Sequence, residues 1–129
     1  MNGVGKMLYK RTEYFRYTFG KPLKAEMRIV VKNGVDRESS PGDCQLIDIS
    51  PGGAKIFSHF DIPLDGTLPV RLHLKFKLHE EMIDLLGVIV WKKPYSEGYM
   101  YGYDFDENAE LEKLIVEELK LRRKSEIDL

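Results

Sequence analysis

The chain has 129 residues, 43% hydrophobic and 32% charged, with a formal net charge of −1. That size suits one domain with its own core, and the composition is that of an ordered globular protein. The near-neutral balance excludes a protein that coats nucleic acid through bulk charge. The single cysteine, Cys44, excludes an intrachain disulfide and a cysteine-based zinc site.

No apolar run approaches the ~18 residues that span a bilayer, and residues 1–10 lack the apolar core of a secretion signal, so a cytoplasmic protein is expected. Residues 1–18 read as a flexible arm. It carries Lys6, Lys10, Arg11 and Arg16 among Tyr9, Tyr14, Phe15 and Tyr17, with no helical or strand period. Residues 19–129 read as a single domain. Leu23 to Lys32 reads as its first strand, since Val30 and Val31 favour the extended form. Asn33-Gly34 and Ser39-Ser40-Pro41-Gly42 bound a polar loop. Cys44 to Ile49 and Ala54 to Ser58 read as strands joined at Ser50-Pro51-Gly52-Gly53, where proline presets the turn and glycine accepts a positive φ.

Val70, Leu72, Leu74, Phe76 and Leu78 alternate with Arg71, His73, Lys75, Lys77 and His79, the period of a half-buried strand. Ile83 to Lys92 reads as the next strand, with Gly87 a bulge or close approach. Tyr99, Tyr101, Tyr103 and Phe105 share one side of another. The period then changes to a helical stripe of Leu111, Leu114, Ile115 and Leu119, with Asp106 or Asn108 as its cap. About six strands and a terminal helix predict a mainly β protein, an antiparallel barrel closed or flanked by that helix.

The densest chemistry lies at the corner. Asp48 can accept from guanine N–H donors, Ser50 can reach phosphate or base, and Gly52 and Gly53 let backbone N–H groups approach a ligand closely. Arginine matches both phosphate oxygens and the N7 and O6 acceptors of guanine. The Asp-x-Ser-x-x-Gly spacing of Asp48, Ser50 and Gly53, behind an arginine-bearing leader, resembles the PilZ family. The resemblance runs from about Tyr9 to the end of the terminal helix. It includes Gly87 to Trp91 and Tyr101-Gly102-Tyr103-Asp104-Phe105.

The resemblance implies a six-stranded antiparallel barrel with a C-terminal helix that binds cyclic di-GMP. The ligand-binding residues would be Arg11, Arg16, Asp48, Ser50, Gly52 and Gly53, with no metal and no other cofactor. It further implies an adaptor that passes the level of this second messenger to a protein target through ordering of its arm. One departure stands out: Thr12 occupies the place of the first arginine in an Arg-x-x-x-Arg pair ending at Arg16, and Arg11 comes one place early. In an extended chain that step is about 3.3 Å and turns the side chain over. A second reading follows, of a PilZ-like adaptor without nucleotide that works through protein contacts alone.

Other classes find less support. His59, His73 and His79 pair with no nucleophile, and His73 and His79 lie six residues apart, about 20 Å along a strand, so no enzyme is expected. Tyr99, Tyr101 and Tyr103 can be imagined as a stacking platform for single strands. Such a stripe is more often half core and half surface, and Asp104, Asp106 and Glu107 repel phosphate, so no nucleic-acid polymer is expected. Leu86, Val88 and Val90 form an apolar second face on their strand. The terminal helix is expected to cover it, a homodimer being the alternative.

Overall fold

Strand alternation and four irregularities in it decide the architecture. The computed structural model describes residues 16–32, 35–36, 39–64 and 68–127. Arg11 and the rest of residues 1–15 lie outside the described residues. The elements in order are β1 (Tyr17–Lys32), β2 (Val35–Asp36), β3 (Gly42–Ser50), β4 (Gly53–Ser58), β5 (Arg71–Lys77), β6 (Met82–Tyr95), β7 (Gly98–Phe105) and α1 (Ala109–Ile127). All pairings are antiparallel. They run β1–β3–β4–β7–β6–β5 and return from β5 to β1, so six strands close a barrel, with β2 beside one end of β1. Closure leaves no long open edge to manage.

The faultless alternation of β5 puts Leu72, Leu74 and Phe76 inside and Lys75 and Lys77 outside. The barrel interior is filled by large side chains. Leu46, Ile49, Ile56, Leu72, Leu74, Ile83, Tyr101 and Tyr103 are all 1% exposed or less. Tyr101 and Tyr103 of the β7 stripe are therefore core, and Tyr99 is only partly buried against it. The Tyr103 hydroxyl donates to the Leu72 carbonyl at 2.7 Å, and the Tyr101 hydroxyl donates to the Phe60 carbonyl at 2.6 Å. A stacking platform cannot be built from rings already buried.

Asn108, not Asp106, caps α1: its Oδ1 accepts from the Leu111 N–H at 3.1 Å. Asp106 pairs instead with Arg71. Ile115 and Leu119 join the barrel core. Arg122 donates to the Leu78 carbonyl at 2.7 Å and lies 5.1 Å from the Phe19 ring centroid. The helix is thus fastened at the β5–β6 corner and the start of β1. It does not cover the whole second face of β6, because Val90 stays 49% exposed.

Most strand boundaries fall within two residues of the sequence reading, and two depart further. β1 begins at Tyr17 instead of Leu23, because a bulge between Thr18 and Leu23 absorbs Gly20 and Pro22. Both read locally as breakers, yet a bulge is where a strand tolerates them. β6 runs on to Tyr95 instead of Lys92. Pro94 is tolerated because that stretch pairs with β7 alone, β5 having ended opposite Val88.

Candidate ligand-binding site

Period two would put Asp48 on the inside of the barrel, together with Cys44 and Leu46. An irregularity between Leu46 and Asp48 inserts Ile47 as an extra residue, so Ile49 takes the inward place and Asp48 turns outward. It is nevertheless only 5% exposed. Arg16 Nη1 donates to Asp48 Oδ1 at 2.6 Å, and Lys55 Nζ lies 3.7 Å from Oδ2. Charge-assisted pairs of this kind compensate a desolvated carboxylate.

The corner beside Asp48 is a two-residue hairpin, Ser50 pairing with Gly53 across Pro51 and Gly52. Ser50 is fully buried and its hydroxyl donates to the Gly53 carbonyl at 3.3 Å. The Gly52 carbonyl accepts from the Phe105 N–H at 2.9 Å, which ties the corner to the end of β7. A Cβ at Gly53 would lie 2.7 Å from the Tyr103 carbonyl, so only glycine lets β4 and β7 approach this closely. The glycine therefore has a packing reason of its own.

The structure brings Arg16, Asp48, Ser50, Gly52 and Gly53 to one end of one outer face. Arg11 lies outside the described residues. Three further residues that sequence reasoning missed, Lys55, Gly102 and Trp91, join them. Across the sheet, Asp48 pairs with Thr18 on one side and with Lys55 on the other; Lys55 pairs with Gly102, and Gly102 with Trp91. A second bulge, between Ile89 and Trp91, turns the indole outward. A Cβ at Gly102 would lie 2.1 Å from Trp91 Nε1, so the ring rests on bare backbone while staying 40% exposed. The row reads carboxylate, ammonium, open backbone, flat ring. It offers a hydrogen-bond acceptor, cations and a stacking surface to a planar anionic ligand. Only Trp91 followed by Lys92 and Lys93 gave any local hint of it.

The remaining titratable clusters do not form a second centre of this kind. Among the described residues no group of three His, Cys, Asp or Glu side chains is arranged to hold a metal. His73 Nδ1 sits 3.0 Å from Asp84 Oδ1 on a solvated strand face. No helix among the described residues is long and apolar enough to cross a membrane.

No curated protein matches the chain. A family model does, described as the PilZ domain, over residues 10–120. That span takes in the Arg16–Asp48 pair, the whole barrel and α1 as far as Lys120, including the core residues Ile115 and Leu119. PilZ domains act in general as receptors or adaptors for cyclic di-GMP rather than as enzymes, and the chain belongs to the PilZ domain family.

Proposed function

We propose that the protein is a cytoplasmic receptor for cyclic di-GMP that reports the level of this second messenger to a protein target. The observation that carries the reading is the 2.6 Å contact from Arg16 to Asp48, which sets the guanidinium of the leader beside the Ser50–Gly53 corner. Arg16 keeps half of its side-chain surface exposed, as a residue that must also meet a ligand requires.

In this reading Arg16 and Arg11 hold phosphate and the N7 and O6 edge of guanine. Asp48 accepts from guanine N–H donors. Gly52 supplies the short wall of the corner, with buried Ser50 and Gly53 holding the hairpin that presents it. Lys55 adds a cation, and Trp91 adds a face on which a base can stack. A charge-assisted hydrogen bond is worth ~1.5–3 kcal/mol net, so a few of them suffice for micromolar affinity. Fixing the leader over the corner then presents a new surface to the target.

Isothermal titration with cyclic di-GMP tests the site. Wild type releases or takes up heat with a defined stoichiometry, Arg16→Ala weakens binding by about tenfold or more, and Thr12→Arg strengthens it. Absence of heat and of displacement of a labelled ligand at high micromolar concentration removes the reading, leaving an adaptor that works by protein contacts. Amide exchange over residues 6–17 slows on addition of nucleotide if the leader is the switch.

A further inference from the structure

One residue pair along the strands from the Asp48 row, a second cross-strand row has a different character. Lys24 pairs with Gln45, Gln45 with Phe57, Phe57 with Met100, and Met100 with Lys93. Its centre is apolar although it faces out of the barrel. Met100 is buried at 7% exposure yet takes no part in the core cluster. A Cβ at Gly98 would lie 2.9 Å from Phe57 Cζ, so the Phe57 ring lies against bare backbone, as Trp91 does at Gly102. Tyr95 meets Phe57 edge-on at 6.0 Å and is 53% exposed. Two glycines of β7 thus give up side chains so that two aromatic rings can be laid flat on the outside.

Beside this platform runs a groove of about 280 Å³ lined by Lys24, Asp43, Gln45, Phe57 and His59. Neither Lys24 nor Lys93 makes an ion pair among the described residues, whereas Lys55 and Lys92 both do. The row is therefore apolar in the middle with an unneutralised ammonium at each end. Large exposed aromatics around a groove are the surface from which protein-binding hot spots are made. The uncompensated lysines fix the sign of the partner.

We propose that this face docks an acidic segment of a partner protein, its apolar side chains entering the groove and its carboxylates reaching Lys24 and Lys93. Asp43 keeps those carboxylates to the two ends of the row. The chain's own leader carries Lys6, Lys10 and Arg11, the same sign as the two lysines, and does not fit. The surface is the one through which the receptor proposed above meets its target. Its test contains no nucleotide, so the two readings fail separately.

The full chain is titrated with a fluorescein-labelled 12-residue peptide of repeated Glu-Glu-Leu-Phe. A Lys-Lys-Leu-Phe counterpart and a single-stranded oligonucleotide of equal length serve as controls. Anisotropy is read beside the emission of Trp91, the only tryptophan in the chain. The Glu peptide binds about tenfold more tightly than the Lys peptide and shifts Trp91 emission to the blue. The pair K24E and K93E, both at exposed positions that leave the fold intact, lowers its affinity about tenfold, and Phe57→Ser lowers it without the double charge change. The proposal is overturned by no binding of the Glu peptide, equal binding of both peptides, preference for the oligonucleotide, or affinity unchanged in the charge-reversed variant. Self-association in sedimentation that is abolished by Phe57→Ser assigns the face to a second copy instead, and equally overturns it.

Discussion

A carboxylate on the outside of a barrel is ordinarily solvated, and Asp48 is not. Arg16 and Lys55 cover it, but they do so unequally: Arg16 contacts it at 2.6 Å with a half-exposed side chain, while Lys55 stands off at 3.7 Å. Only the Arg16 end of the pair is exposed, and Lys55 remains to face the buried acid, so little stability rests on Arg16 alone. Arg16→Ala is therefore expected to lower unfolding free energy by about 1 kcal/mol or less in urea melts, because Lys55 still faces the acid. The same substitution weakens nucleotide binding by about tenfold or more. A loss of affinity explained by unfolding would make the two effects rise together, and urea melts distinguish them. Cys44 offers a second check at this scale. Burial first, then the Asp43 and Glu26 carboxylates, push its thiol up to about 12. With almost no thiolate at neutral pH it should react with a disulfide reagent only after denaturant is added, and rapid native labelling would show that β3 opens.

At the scale of elements, glycine positions carry the closest approaches. A Cβ at Gly87 would lie 2.2 Å from the Asp104 carbonyl oxygen and 2.8 Å from Tyr103 Cζ. Neither neighbour is a flexible tip, so β6 and β7 must separate to admit it. Gly87→Ala is expected to cost about 1–3 kcal/mol, whereas Gly20→Ala, with open space around it, stays within about 0.5 kcal/mol of wild type. Thermal melts of the two variants make the comparison. Gly87 was legible as a close approach because it interrupts an otherwise apolar strand. So was β5, whose alternation is forced by one buried face. What escaped the sequence lies at the bulges. An extra residue at Ile47 turns Asp48 outward, and one at Val90 does the same for Trp91. No residue type marks either insertion, so which side chains stand next to Asp48 across the sheet could not be read in advance. The start of β1 escaped as well, because Gly20 and Pro22 lie in a bulge inside the strand, ahead of Leu23, where the sequence pattern alone begins it.

Over the whole molecule, α1 joins the two ends of the fold. The Tyr17 hydroxyl donates to the Glu126 carboxylate at 2.7 and 2.8 Å, one residue from Arg16, so the end of the helix and the candidate site share an anchor. The other fastening is Glu118, 3% exposed, whose Oε1 accepts from the N–H groups of His79, Glu80 and Glu81 at 3.0, 2.8 and 3.0 Å. Burial pushes this carboxyl up, but the three backbone donors, with a smaller contribution from His79, outweigh it and hold the group below its usual range. A group whose pKa is lower in the folded chain stabilises it fully above the unfolded value of about 4.3. That contribution is lost progressively as the pH falls from there through the folded value. Glu118→Gln keeps the shape and an acceptor oxygen but removes the charge. It is expected to lower stability at pH 7 by about 1–2 kcal/mol, the difference between charged and neutral hydrogen bonds in this corner. The gap between variant and wild type should then narrow as urea melts are repeated from pH 5 down to pH 3. A gap that persists unchanged in acid would show that α1 is held by shape alone, and that the charge on Glu118 does not fasten the β5–β6 corner.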